Sequence, residues 1–168
     1  NPARVILVGA GGKAGVDCGP TLQGAINTVT AAGAVVVAAA GNEGSLVGIS
    51  SPANCMGVIA VTAHVINSEN AVYSNIGPIG GAGPNPTISA PGGGPPIMLG
   101  SGGPTDDEDW FGYYIWSTVL FGNTTPNSGG GPGGTSTGPA YVGAIGTSAA
   151  TPQVAAVAAL VKSLLPTA

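Results

Sequence analysis

Basic side chains are almost missing: Arg4, Lys13 and Lys162 are the only three in 168 residues, and the net charge is −4. Without a basic patch the chain cannot neutralise a row of phosphates, which argues against nucleic acid and against anionic membrane surfaces as partners. Charges of both signs together make up only 6% of the residues. Long apolar runs are missing too. Gly or Pro interrupts each one, so none is suited to cross a bilayer. Histidine occurs once, at His64, and cysteine twice, at Cys18 and Cys55. Two cysteines are too few for a structural zinc site. No signal peptide opens the chain, and a start at Asn1-Pro2 instead of Met points to a processed or trimmed terminus.

What the chain has in plenty is glycine and proline, 31 and 15 residues. Periodic Ala- and Val-rich segments separate them, which indicates a globular chain with long loops. Its length suits one domain or a large part of one. Arg4 to Val8 reads as a buried strand ending at Gly9, and Gly9 to Pro20 as a Gly-rich loop. Thr21 to Ala32 places Leu22, Ala25, Ile26 and Val29 at helical spacing, with Gly33 as a C-terminal cap. Ala34 to Ala40, Gly57 to Ala63 and the short Thr87 to Ala90 read as further strands. Strand, helix, strand in that order predicts a βαβ unit in a parallel sheet. Pro91 to Pro139 reads as an irregular surface excursion with one strand near Ile115 to Leu120. It carries an acidic knot, Asp106 to Asp109, and the aromatics Trp110, Phe111, Tyr113, Tyr114 and Trp116. Ala149 to Leu165 reads as a terminal helix, apolar nearly all round and therefore buried.

Ser148 carries the chemistry. It opens the terminal helix in the run Gly146-Thr147-Ser148-Ala149-Ala150-Thr151-Pro152. Unpaired N–H groups and the positive dipole end at a helix start favour a developing oxyanion. Pro152 is compatible with a first helical turn. A hydroxyl presented this way is a candidate nucleophile. Asn42 follows the strand Val35 to Ala40, at the strand end where open α/β sheets place ligands. Its amide either donates to an oxyanion or simply forms the Asn-Glu-Gly turn. Ser50-Ser51-Pro52-Ala53 forms a pocket floor or a turn. Cys18 and Cys55 lie in polar loops and form either a loop-to-loop disulfide, implying an oxidising compartment, or two unrelated free thiols. The acidic knot is a solvated loop or a structural calcium site. Gly9-Ala10-Gly11-Gly12-Lys13-Ala14 matches a dinucleotide fingerprint. However, Asp17-Cys18-Gly19-Pro20 intervenes before the helix, and no acidic residue stands about 20 positions on.

Six ordered motifs carry a family resemblance: Ala38-Ala39-Ala40-Gly41-Asn42-Glu43-Gly44, Ser51-Pro52-Ala53, Gly57-Val58-Ile59-Ala60-Val61, Tyr73-Ser74-Asn75-Ile76-Gly77, Ser89-Ala90-Pro91-Gly92 and Gly146 to Pro152. In this order the chain resembles subtilisin-like serine proteases from about Arg4 to its C-terminus, apart from the excursion. The resemblance implies an α/β fold: the C-terminal half of a subtilisin-like three-layer domain with a mostly parallel central sheet. Residues 1–168 would be the C-terminal part of one peptidase catalytic domain, with the excursion over about 92–139. It implies Ser148 as nucleophile, and Asn42 with the Ser148 N–H as oxyanion donors. Gly9, Ala10 and Gly11 on one side and Ala39, Ala40 and Gly41 on the other would flank the substrate, with Ser50 near the floor of the specificity pocket.

The chain departs from the family pattern in four places. Neither an Asp-[Ser/Thr]-Gly nor a His-Gly-Thr segment occurs, and the family order is Asp, His, Ser. His64 follows a strand the family does not use for catalysis, so it reads as a surface histidine before a base. Gly9-Ala10-Gly11 replaces Ser-Leu-Gly, Gln153 replaces a frequent His, and Ala149 replaces a Met. The expectation is a secreted serine endopeptidase acting on peptide or protein substrates, with Asp and His supplied by a separate N-terminal chain of the same precursor. It needs no cofactor for its chemistry. A catalytically inactive fragment or a nucleotide-binding α/β module is the alternative.

Overall fold

The computed structural model describes residues 3–77, 86–94, 113–121 and 138–165. Four parallel strands form the central sheet in the order β1-β2-β3-β4: β1 Val5–Val8, β2 Val35–Ala39, β3 Val58–His64 and β4 Ile88–Pro91. Helix α1, Pro20–Ala31, is the crossover between the adjacent strands β1 and β2. A separate antiparallel pair joins β5, Ile115–Phe121, to β6, Gly138–Ala144. Helix α2, Thr147–Leu164, closes the described chain.

Burial follows the strand period of two. Val37, Val61 and Ala63 are buried in one cluster with Ala150 and Ala155 of α2. Ala38, Ala40 and Ala60 point to the other face and are buried with Ile49 and Ala53. Burial on both faces explains why β2 and β3 read as continuous apolar runs. Gly33 after the end of α1, at φ 88°, is the cap read from sequence, whereas Pro20, read as the end of the loop, is the first helical residue.

Four expectations change. Strand β1, read as buried, is half-buried with Leu7 exposed, because it lies at the edge of the described sheet. Strand β6 lies partly in the stretch read as irregular, because Gly138-Pro139-Ala140 shows no alternation and its pairing with β5 is tertiary. Helix α2 begins at Thr147, so Pro152 falls in its second turn, not the first. A proline there cannot donate a helical bond back to the Ser148 carbonyl. Nor is α2 buried all round. Thr147, Ala150, Thr151 and Ala155 are buried, whereas Val157, Leu160, Val161 and Leu164 are exposed, because the described sheet covers only one side of the helix. The acidic knot and its calcium reading fall outside the described residues. Among the described residues no three or more His, Cys, Asp or Glu side chains gather as a metal site.

Cys18 and Cys55 form a disulfide with their Cα atoms 5.1 Å apart, tying the loop after β1 to the turn at residues 51–57. The same two loops share the bonds Gly12 N–H to Ser51 O (2.9 Å) and Asn54 Nδ2 to Val16 O (2.6 Å). Unreduced, denatured protein should therefore yield no alkylatable thiol from either residue. Replacing both cysteines by alanine should cost about 3–4 kcal/mol in denaturant unfolding, from the entropy regained by the opened loop.

Candidate active site

Two elements far apart in sequence meet at the carboxyl end of the sheet. After β2 the chain turns at Gly41, whose φ of 104° suits glycine. A Cβ there would also collide with Asn75 Nδ2 and Ser50 Oγ. The turn presents Asn42, which is exposed. Asn42 Oδ1 accepts the Thr147 N–H at 2.8 Å and the Thr147 hydroxyl at 2.9 Å. Thr147 Oγ1 in turn accepts the Gly41 N–H at 3.2 Å. The buried threonine therefore clamps the start of α2 to the end of β2. It uses up the oxygen end of the Asn42 amide and leaves the Nδ2 donors for another acceptor.

Ser148 is the second residue of α2 and is exposed. Gly146 precedes the helix at φ 145°. A Cβ built on Gly146 would lie 3.1 Å from Ser148 Oγ and 3.3 Å from Asn42 Nδ2. Hydroxyl and amide thus converge on one point, and a side chain on Gly146 would crowd both. Across from them, a Cβ on Gly9 would lie 3.8 Å from the Ser148 Cβ, so the end of β1 borders the same site.

Gly9, Ala10 and Gly11 are exposed along that border. Gly11 is held close to the turn beneath it: a Cβ there would meet Ser50 Cβ and Ser51 O at 3.0 Å. On the opposite border Ala39 and Ala40 are buried, and Gly41 is half exposed. The Ala40 N–H donates to Val61 O, and its carbonyl accepts the Ser50 N–H at 2.8 Å. Ser50 is fully buried, with its hydroxyl 3.4 Å from Asn75 Nδ2 and 3.5 Å from Glu43 Oε2. His64 ends β3, and its Nδ1 lies 2.9 Å from Ser89 Oγ on β4, so that nitrogen is engaged by the serine hydroxyl. In the Gly9–Ala14 run no helix begins; α1 starts at Pro20, which removes the helix N-terminus a pyrophosphate would need.

Three supporting residues escaped the sequence reading as functional: Thr147, Tyr73 and Asn75. Each lies inside a motif quoted above, which was the available signal. The Tyr73 hydroxyl lies 2.7 Å from both Gly92 O and Gly93 O and accepts the Gly146 N–H at 3.1 Å. Burial pushes its phenol above the ordinary range, partly offset by the Gly146 N–H. The group therefore stays a protonated donor into alkaline solution.

With this geometry in place, comparison with known proteins assigns the class. The Subtilase family model matches residues 1–168, and the chain belongs to that family. It is 39% identical over 168 residues to an extracellular protease of Xanthomonas campestris pv. campestris, matching 100% of this chain and 22% of that protein. It is 34% identical over 166 residues to a thermostable alkaline protease of Halalkalibacterium halodurans, matching 99% of this chain and 33% of the relative. A solved protease from Pseudoalteromonas arctica PAMC 21717 superposes with a TM-score of 0.69 at 35% identity, covering 97% of this chain and 40% of the other. The chain thus spans a third or less of the length of these two curated relatives.

The Gly41 turn should tolerate no side chain. Gly41→Ala should lower unfolding stability by more than about 2 kcal/mol, because positive φ and the clash add. Chemical denaturation of the purified protein would measure it.

Proposed function

We propose that this chain carries the nucleophile and the oxyanion hole of a secreted serine endopeptidase. The Asp and His of the triad come from a separate N-terminal chain of the same precursor. The observation that carries this reading is the convergence of Ser148 Oγ and Asn42 Nδ2 on Gly146, with the Asn42 oxygen held by Thr147. Histidine from the partner chain takes the Ser148 proton, and Oγ attacks the peptide carbonyl. The oxyanion then receives hydrogen bonds from Asn42 Nδ2 and the Ser148 N–H, and the protonated histidine delivers its proton to the leaving amine. The substrate runs as an extended strand beside Gly9, Ala10 and Gly11 on one side and the Ala39-Ala40-Gly41 end on the other. Its side chain enters above Ser50. No cofactor takes part in these steps, and a calcium ion at Asp106 to Asp109 would act only on stability. The disulfide and the extracellular naming of the Xanthomonas relative support a secreted protein.

A phosphonyl fluoride reagent should label Ser148 in the two-chain protein. The isolated chain should show no peptidase activity above its Ser148→Ala variant, since the histidine and aspartate of the triad are missing from its motifs and, among the described residues, no base adjoins the hydroxyl. Labelling elsewhere, or activity of the isolated chain that His64→Ala abolishes, would overturn the assignment and leave His64 as the base.

Asn42→Ala should lower kcat by about 10²–10³, the cost known for removing such an amide in a protease of this family, with KM nearly unchanged. Steady-state kinetics on the two-chain protein would separate this from a pure KM effect, which would make Asn42 a substrate contact only.

A further inference from the structure

We propose that the turn Tyr73-Ser74-Asn75 is a positioning element that sets the spacing between Asn42 and Ser148. In this scheme Asn75 acts through the Asn42 loop and Tyr73 through the start of α2. The inference rests on the catalytic reading above and adds residues that the reading does not use.

Asn75 is fully buried beneath the Asn42 loop. Its Oδ1 accepts the Glu43 N–H at 3.1 Å and the Ser45 N–H at 2.8 Å, while Nδ2 donates to Ala40 O at 3.0 Å and to the Glu43 carboxylate. Its backbone N–H donates to Gly41 O at 3.0 Å. Gly44 N–H donates to Tyr73 O at 2.6 Å. From Ala40 to Ser45, therefore, every residue but Asn42 is tied to this turn, and Asn42 points its own oxygen at Thr147. A carboxamide suits the position because it offers an acceptor and a donor at once. Alanine would leave the Glu43 and Ser45 N–H groups without their acceptor and the Ala40 carbonyl with only the Ser50 N–H, and the loop would be free to shift.

The other end of the turn holds the nucleophile's helix. The Tyr73 hydroxyl accepts the Gly146 N–H and donates toward the Gly92 and Gly93 carbonyls. The Gly146 N–H also donates to Gly92 O at 2.8 Å. Between them, Ser74 Oγ accepts the Ala63 N–H at 2.9 Å and fixes the turn to buried β3. One short segment anchored in the core thus grips both halves of the oxyanion hole. The spacing between those halves decides how well the donors fit a transition state, and misplacement of about 1 Å can cost 10²-fold in rate.

The test is a set of double-mutant cycles on the two-chain protease, with kcat normalised to the fraction of sites titrated by a phosphonyl fluoride. Asn75→Ala should lower kcat by about 10- to 100-fold with little change in KM. In the Asn42→Ala background the same substitution should lower kcat less than about twofold, because the group it positions is gone. Tyr73→Phe should lower kcat by about 3- to 10-fold in both backgrounds, because it acts on the Ser148 side. If Asn75→Ala does not fold, Asn75→Ser, which is uncharged and keeps a short hydroxyl in place of the carboxamide, should show the same dependence on Asn42. Equal kcat losses from the Asn75 variant in both backgrounds, or a loss only in melting temperature and titratable fraction, would overturn the inference. So would a Tyr73→Phe variant with unchanged kcat. If Asn42→Ala alone leaves kcat intact, the oxyanion reading itself fails and the inference fails with it.

Discussion

Thr147 has one hydroxyl, and the arrangement of the site depends on where it points. It accepts from Gly41 and donates to Asn42, while the Thr147 N–H donates to the same Asn42 oxygen. Because the threonine is buried, these bonds form away from competing water and are costly to leave unmade. They join the end of β2 to the start of α2, two segments separated by 106 residues in sequence. They also decide the orientation of the Asn42 amide, which an exposed side chain could otherwise rotate freely.

Small residues make that junction geometrically accessible. Ala38, Ala39 and Ala40 bring β2 up to the turn with minimal side-chain volume, and all three are buried. A Cβ on Gly146 would crowd Ser148 Oγ and Asn42 Nδ2, and one on Gly41 would strike Asn75 and Ser50 beneath the Asn42 loop. A larger residue at position 146 would fill the gap between the Ser148 hydroxyl and the Asn42 amide. The loop after β1 closes the site from the other side, held by the disulfide and by Gly11 pressed against the turn that carries Ser50.

The apolar surface of α2 shows how far this chain goes by itself. One side of the helix fills the cleft against the sheet, while Leu160 and Leu164 are 65% and 80% exposed. A helix with so much uncovered apolar area is expected to meet further protein. The solved relative is more than twice as long as the region it shares with this chain.

Much of the fold was legible because it follows from local periodicity. The apolar runs at β2 and β3, the amphipathic spacing of α1 and its Gly33 cap each reflect forces acting within a few residues. The same holds for Ser148 at a helix start and Asn42 after a strand. Strand β6 was not legible, since its Gly-Pro-Ala opening has no alternation and only pairing with β5 defines it. The uncovered side of α2 was misread because an all-apolar helix carries no record of which neighbours are present. Tertiary structure alone decided that Thr147 would orient Asn42, and that Tyr73 and Asn75 would bond to backbone groups distant in the chain. The number of places a serine or asparagine could take in a turn is large, and local sequence does not distinguish among them. The choice is made only when folding removes water from those groups and each buried donor must find an acceptor.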